Sequence, residues 1–196
     1  MDLTRRGIIA ASAVTVAGCG LVPEESDPIE ASASTPAGLP DDAGYDEIAS
    51  EETTVETTIR VDLSGDVELN GSRDVVATVF RRVYHAGDGR RFGVVTSPVV
   101  QLFESTEVIR DPVGSLDDSR VVELGTGLSV EGVGSTAEAE SVTVLGTDAT
   151  PTTATATTAD GAVSTAWTRV RAGDDSVTAV AAGGGEAPFG AVTRGE

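Results

Sequence analysis

Apolar and polar positions alternate along much of the chain, which predicts a protein built mainly from β-strands. Over residues 57–63, every second residue from Ile59 onward is apolar, and this period of two is typical of a half-buried strand. Residues 74–85 form a longer run of β-branched and aromatic side chains. The turn sequence AGDG follows at 86–89, and residues 90–97 supply a partner run, so we expect a hairpin there.

The C-terminal part contains four further strand candidates, at residues 140–145, 150–158, 162–171 and 176–181. The second of them is so rich in Thr and Ala that it also resembles an O-glycosylated stalk. Thr favours strands and covers solvated sheet faces, and strand patterns lie on both sides. A strand is therefore the favoured interpretation.

The middle of the chain, residues 99–135, lacks a steady alternation. Its apolar groups at 102–103, 108–109 and 121–124 can supply the buried faces of one or two short helices. The predicted fold class is therefore α+β, mainly an antiparallel β-sheet with one or two short helices packed on one face. We place this single domain at residues 41–183 and expect a flexible tail at 184–196.

Asn70 belongs to two overlapping patterns. Asn70-Gly71 is typical of a type I′ turn, here between residues 66–69 and the strand from 74 onward. Asn70-Gly71-Ser72 is also the sole sequon for N-glycosylation. The two interpretations are compatible, because a hairpin tip is accessible to a glycan.

The charge of the chain indicates the solvent in which it works. The 196 residues include 32 acids and 13 bases, a formal net charge of −19, and all 13 bases are Arg. Such an excess repels itself in dilute buffer, whereas at about 1 M salt the Debye length falls to about 3 Å. The acids are spread out rather than gathered in a tail, which favours adaptation to concentrated salt. Nucleic acid is excluded as a partner, because phosphate backbones need clustered cations.

The N-terminus carries a targeting pattern. Arg5 and Arg6 precede the apolar stretch 8–17, which is too short to cross a bilayer. The twin-arginine form indicates the export (Tat) route for folded proteins, and the small residues before Cys19 form a lipobox. We therefore expect a signal peptide at 1–18 and a lipid on Cys19; the alternative is a free or buried thiol beside an ordinary cleavage site. Residues 19–40 hold four of the eight prolines, which predicts a flexible acidic linker.

Few residues offer catalytic or metal-binding chemistry. His85 is the only histidine, and its place at a strand end is typical of an exposed polar residue rather than a catalytic base. Adjacent acids at 41–42, 117–118 and 174–175 could ligate a cation, but they lack the spacing of a calcium loop. Carboxylate pairs for sugar hydrolysis lack aromatic platforms beside them. We therefore expect no enzymatic activity, no metal and no cofactor.

Four arginines flank the predicted hairpin and are candidates for binding an anion: Arg81, Arg82, Arg90 and Arg91. The favoured alternative is that they pair with the abundant carboxylates of the same chain.

Several segments together resemble a family of uncharacterised lipoproteins of halophilic archaea, exported by the twin-arginine route. These segments are TRRGII…AGC, GYDEIASEETTVETTIRV, RRVYHAG running into FGVVTSP, SVTVLG and WTRVRAGDDSVTAVAA. The resemblance implies export, a lipid anchor and an α+β domain. It brings no activity and no catalytic residues.

The expected role is a lipoprotein anchored in the cell membrane and facing outside, with a non-enzymatic binding or structural part in the cell envelope. Its expected partners are the membrane, through the lipid, and a candidate envelope protein. The alternative is a solute-capturing lipoprotein that serves a transporter. An enclosed pocket above roughly 300 Å³, lined by the four arginines, would favour that alternative, whereas an exposed apolar patch would favour a protein partner.

Overall fold

The computed structural model describes residues 27–63, 69–103 and 108–195. Strands dominate this part of the chain. They are β1 (Ile29–Ser32), β2 (Ala37–Gly38), β3 (Asp46–Leu63), β4 (Leu69–His85), β5 (Arg91–Pro98), β6 (Val100–Gln101), β7 (Ile109–Arg110), β8 (Val130–Val133), β9 (Ala137–Glu138), β10 (Val142–Val144), β11 (Thr147–Ala149), β12 (Thr152–Thr158), β13 (Gly161–Ala172), β14 (Asp175–Ala182) and β15 (Thr193–Arg194). One α-helix, α1 (Asp118–Thr126), and two 3₁₀ turns, Val113–Ser115 and Phe189–Ala191, complete the described elements.

Nine of these strands form one curled, mixed sheet with the path β3–β4–β5–β14–β13–β12–β8. Along β4, the long strand β3 occupies one edge, while β5 and the short strand β1 share the other. β8 and β9 likewise share the outer edge of β12. The β1–β4 pair is parallel and the other pairs are antiparallel.

The fold class predicted from the sequence is wrong: the chain is mainly β rather than α+β. Of the middle region, α1 and the turn Val113–Ser115 are helical, whereas other parts of it pair as strands β6, β7 and β8. Short apolar groups fit a helix face and a short strand equally well, and backbone pairing decided between them here.

The hairpin predicted at 74–97 is confirmed as β4 and β5, and the Thr- and Ala-rich segment is a strand, β12. The turn predicted at Asn70-Gly71 is wrong, because both residues lie inside β4 and pair with Asp62 and Val61 of β3. Gly71 has a packing role instead: a Cβ built on it would come within 2.9 Å of the Phe103 ring.

Side chains alternate between two faces of the sheet, and each face is covered differently. On the face that carries α1, Trp167 and Val180 lie in register and pack with the helix. We call this the helix face. On the opposite face, Val170 and Val177 lie in register and pack under the first and last segments that the structure describes.

Two glycines allow α1 to lie unusually close to the sheet. A Cβ built on Gly93 of β5 would overlap the carbonyl oxygen of Gly125 in the helix, and a Cβ on Gly125 would overlap Val180 of β14. The helix begins at the N-cap Asp117, whose side chain accepts a hydrogen bond from the Arg120 backbone N–H at 3.0 Å. It ends at Gly127, which has φ +67° and therefore suits glycine.

The first and last segments that the structure describes are built into the opposite face, so ordered structure lies on either side of the predicted bounds 41 and 183. Residues 184–196 were expected to form a flexible tail, yet Phe189 and Val192 are buried there and β15 pairs with β2. The expected linker 19–40 likewise supplies β1, β2 and the buried Leu39 from its second half. Small side chains such as Ala and Gly in both segments allow close packing on the sheet, although their composition is also typical of loops.

A buried carboxylate ties these two segments to the sheet. Asp175, which is 1% exposed, accepts hydrogen bonds from the hydroxyl of Ser34 at 2.6 Å and from its backbone N–H at 3.1 Å. Arg194 of β15 donates to the same carboxylate at 2.9 Å. Because Asp175 binds both terminal segments, it fixes them to the end of β14.

Candidate functional site

Three of the residues singled out from the sequence lie outside the described part of the chain: Arg5, Arg6 and Cys19. The export signal and the lipidation therefore stay predictions. Asn70 lies in β4, and its glycosylation also stays a prediction.

The four arginines do not converge on one site. Two of them, Arg81 and Arg91, lie at the C-terminal end of α1. Arg81 Nε donates to the carbonyl of Leu124 at 2.5 Å and Arg91 Nη1 to the carbonyl of Thr126 at 3.2 Å. The last carbonyls of a helix carry partial negative charge and lack partners within the helix, so these two cations stabilise its end.

Arg82 and Arg90 serve other contacts. Arg82 Nε lies 3.8 Å from a carboxylate oxygen of Glu47. Arg90 pairs with Asp88 at 2.7 Å and covers the ring of Tyr45, with its guanidinium carbon 5.5 Å from the ring centroid. The backbone N–H of Arg90, followed by its guanidinium, lowers the pKa of the Asp88 carboxyl. Each of the four arginines thus has a carboxylate or carbonyl partner within the chain, and anion binding stays a prediction.

Two of the three acid pairs, 117–118 and 174–175, and His85 also have structural positions. Asp117 caps α1 and Asp175 binds the two terminal segments. His85 ends β4, in register with Asp46 and Arg91. Within the described ranges, no three or more His, Cys, Asp or Glu side chains are grouped as a metal site would require.

The arrangement with the clearest capacity to bind is the outer edge of β3. No further strand of the described chain pairs with this edge. Beside residues 50–56 of the edge lie two clefts, one of about 280 Å³ and one of about 290 Å³. Both are smaller than the roughly 300–1,000 Å³ typical of small-molecule pockets.

The first cleft lies between β3 and α1, and we call it the helix-side cleft. Val55, Leu116 and Leu124 give it apolar lining. Its charged lining consists of Glu51, Glu56, Glu123, Arg81 and Arg120.

Two ion pairs cross this lining. Arg81 lies 2.5 Å from Glu51, and Arg120 lies 3.3 Å from Glu123. The carboxylate of Glu56 is then the excess charge, so the cleft is apolar within and slightly acidic at its rim.

The second cleft, which we call the Pro36-side cleft, is lined mainly from the opposite face. Ser50 and Glu52 of β3 pair with Arg82 and Phe80 of β4, and these four alternate with Glu51 and Arg81 along the strands. Pro36 also contributes to the lining. Phe80 and Pro36 give this cleft apolar surface, and its two glutamates balance its two arginines.

A larger concavity of about 500 Å³ lies on the opposite face near β12 and β13. Its lining is Ser, Thr, Ala and Gly, without a charged or aromatic side chain. A surface of this kind offers few directional groups that could select a ligand.

The clefts beside β3 escaped the sequence analysis, which predicted only residues 57–63 of this strand. A signal was present: β3 carries the acids Asp46, Glu47, Glu51, Glu52, Glu56 and Asp62 and one base, Arg60. Charges concentrated on one long strand are typical of an exposed sheet edge.

In the part of the chain that the structure describes, no helix combines the length and apolar character needed to cross a bilayer. A family model described as a domain of unknown function (DUF6517) matches residues 32–190. No curated protein and no solved structure matches the chain. The matched region runs from the last residue of β1 through all of β14, and it extends past the predicted end of the domain at residue 183.

Proposed function

The chain belongs to the family described as a domain of unknown function (DUF6517), and from its N-terminal pattern and its fold we propose a role for it. The protein is a lipid-anchored domain displayed outside the cell in concentrated salt. It binds another component of the envelope and catalyses no reaction.

The observation that carries this proposal is the order of three signals in one short segment. Arg5 and Arg6, the apolar stretch 8–17 and the small residues before Cys19 follow one another as export and lipidation require. A thiol in this place accepts the lipid, and two or more acyl chains hold a protein firmly on a bilayer.

The fold shortens the tether that follows. β1 begins at Ile29, ten residues after Cys19, and a fully extended chain of that length spans at most about 35 Å. The sheet is therefore held near the membrane surface by its first strand, rather than on a long stalk. A formal charge of −19 keeps such a domain hydrated among other acidic surfaces in brine.

A non-enzymatic role is supported by how buried polar side chains are used. Asp111 accepts a hydrogen bond from the Ser97 hydroxyl at 2.8 Å and lies 2.8 Å from Arg169. Asp175 is likewise occupied by Ser34 and Arg194. These carboxylates hold loops and chain ends in place, so they are not free for acid–base chemistry.

Solute capture for a transporter is the weaker alternative. The clefts that contain Arg81 and Arg82 are about 280 and 290 Å³ and lie open at a sheet edge. The larger concavity has no arginine in its lining. Neither arrangement has the enclosed, charged pocket that a small anionic solute would need.

The anchor is tested by replacing Cys19 with Ser and following the protein in membrane and medium fractions. The wild-type protein and a matched Ser26→Ala variant are expected in the membrane fraction, and they should partition into detergent. The Cys19→Ser variant is expected in the medium. Retention of Cys19→Ser in the membrane at the wild-type level would refute the lipid anchor.

A further inference from the structure

We propose that the outer edge of β3 accepts an extended segment of a partner protein as an additional antiparallel strand, and that this segment alternates basic and apolar side chains. The inference deepens the binding role proposed above and rests on it. It names the place of binding, the mode and the chemistry of the partner.

The backbone supplies the first argument. β3 spans 18 residues, and the described chain occupies only one of its two edges, through β4. The other edge presents N–H and C=O groups to which no described strand is hydrogen-bonded. An edge of this kind is the template that extended peptides use when they bind by strand addition.

The two clefts supply the second argument, because they lie beside the same stretch of the edge. Residues 50–56 contribute to the helix-side cleft, and residues 50–52 contribute to the Pro36-side cleft. Successive side chains of a strand point to opposite faces of the sheet. A strand added here would place alternate side chains in the two clefts.

The lining of each cleft indicates which side chain it accepts. In the helix-side cleft, Leu116 and Leu124 can pack against an aliphatic stem, and the lining, with three glutamates against two arginines, favours a cationic head at the rim. Arg and Lys have this combination of an apolar stem and a charged end. In the Pro36-side cleft, charges are balanced and Phe80 and Pro36 offer apolar surface, so an apolar side chain fits there.

Charge also makes a basic partner strand more favourable at this edge than a second copy of the chain. β3 has six acidic residues and one basic residue, Arg60. Two such strands paired edge to edge would bring two sets of six acidic residues together against two arginines, and this excess of like charge is destabilising. A basic strand relieves the same charges, so the edge disfavours self-association and favours a basic partner.

Concentrated salt weakens general charge attraction more than it weakens direct contacts at the edge. At about 1 M salt the Debye length is about 3 Å, so long-range attraction between an acidic protein and any basic peptide is screened. A contact pair in a cleft that is partly shielded from solvent is screened less. Binding that persists in brine therefore reports contacts at the edge rather than general charge attraction.

The test uses the membrane-extracted protein in detergent and concentrated NaCl, with a short blocked peptide that alternates arginine and valine. Hydrogen exchange on alternate backbone amides of residues 50–56 is expected to slow when the peptide binds. The same peptide with glutamate in place of arginine should not bind. A peptide methylated on its backbone nitrogens should lose binding too, because it can no longer donate to the edge.

A pair of charge reversals makes the location falsifiable. Glu56 lies at the helix-side cleft, whereas Glu131 is exposed on β8 at the far side of the sheet. Glu56→Arg is expected to weaken peptide binding about tenfold, since it replaces an attractive contact by a repulsive one. Glu131→Arg changes the net charge equally and should leave binding unchanged.

Three results would each overturn the proposal: equal weakening by the two variants, equal binding of the methylated peptide, or exchange protection confined to the Ser- and Thr-lined concavity. None of them depends on lipidation of Cys19. Failure of strand addition is therefore distinguishable from failure of the anchor.

Discussion

The contact between α1 and the sheet makes a sharp prediction about Gly93. Replacing Gly93 with Ala puts a methyl group where the carbonyl oxygen of Gly125 lies. A backbone oxygen cannot rotate away as a side chain can, so the whole helix must shift from the sheet. We expect Gly93→Ala to be one of the most destabilising single-methyl additions in this protein.

The size of the effect follows from the packing. Adding a methyl group to a well-packed core commonly lowers the free energy of unfolding by about 1–3 kcal/mol. Because the obstacle here is a rigid backbone oxygen, we expect the upper end of this range, about 3 kcal/mol. The upper limit is undocking of the helix, which exposes Val121 and Val122, now 3% and 0% exposed. Full exposure of each of those valines would lower the free energy of unfolding by about 1.5–3 kcal/mol. Such a loss is a large part of a total stability of about 5–15 kcal/mol.

A second glycine in the same contact provides an internal comparison. In Gly125→Ala the obstacle is the side chain of Val180, which can be trimmed. The double variant Gly125→Ala, Val180→Ala should therefore be more stable than the sum of the single effects, with a coupling of about 1–2 kcal/mol. Gly132 in β8 has open space around it, so Gly132→Ala is the matched control.

The assay is chemical denaturation in concentrated NaCl, followed by fluorescence of Trp167, which is 7% exposed in the fold. Gly93→Ala should lower the free energy of unfolding by about 3 kcal/mol, and Gly132→Ala should change it by less than about 0.5 kcal/mol. If the two variants are equally stable, α1 does not lie against β5 as described.

Three further predictions concern charge and burial. Asp175→Asn should lower the free energy of unfolding by about 2–3 kcal/mol, because it removes the ion pair with a terminal strand; the exposed neighbour Asp174→Asn is the control, and equal effects would contradict this role. Burial raises the pKa of the Tyr84 phenol above its ordinary value of about 10. The contribution of the neutral phenol to the free energy of unfolding should therefore be fully present below pH about 10 and be lost as the pH rises through the folded-state pKa. Tyr84→Phe should weaken that fall and cost about 1–3 kcal/mol at neutral pH, because the backbone N–H of Leu39 loses its acceptor at 3.0 Å; an unchanged alkaline transition, measured by denaturation at several pH values, would argue against it. Finally, the melting temperature followed by Trp167 fluorescence should rise steeply between about 0.1 and 1 M NaCl, and a melting temperature that is independent of salt would contradict salt adaptation.

Sequence patterning located strands well wherever one face is buried and the other solvated. The alternation at residues 57–63 and the long run at 74–85 belong to β3 and β4. The first part of β3, from Asp46, lacked that alternation because side chains on both of its faces are exposed there, among them Glu51 and Glu52. Its apolar period therefore appears only where Val55, Ile59 and Val61 enter the core.

Positions that depend on distant contacts were beyond local patterns. Asn70-Gly71 has the composition of a turn, but its surroundings are set by pairing with β3 and by the ring of Phe103. Segments 29–38 and 187–194 have loop-like compositions, and they are ordered by Asp175, which is remote in sequence from Ser34. Composition alone cannot reveal such partners.

The sequence predicted the candidate site only in part. Arg81 was singled out as one of four arginines near a hairpin, and it does line both clefts. Its pairing with Glu51 and with the carbonyl of Leu124 could not be inferred, because it requires the register of β3 and the position of α1. The open edge itself is a property of sheet order, which the strand pattern does not specify.

The most direct test of the central claim is the mass of the N-terminal fragment of the protein purified from native membranes. The predicted fragment begins at Cys19 and is heavier than its amino-acid sequence by the mass of covalently attached lipid chains. A fragment that begins at Met1, or one with an unmodified Cys19, would contradict the claim that this β-sheet domain is held at the cell surface by a lipid.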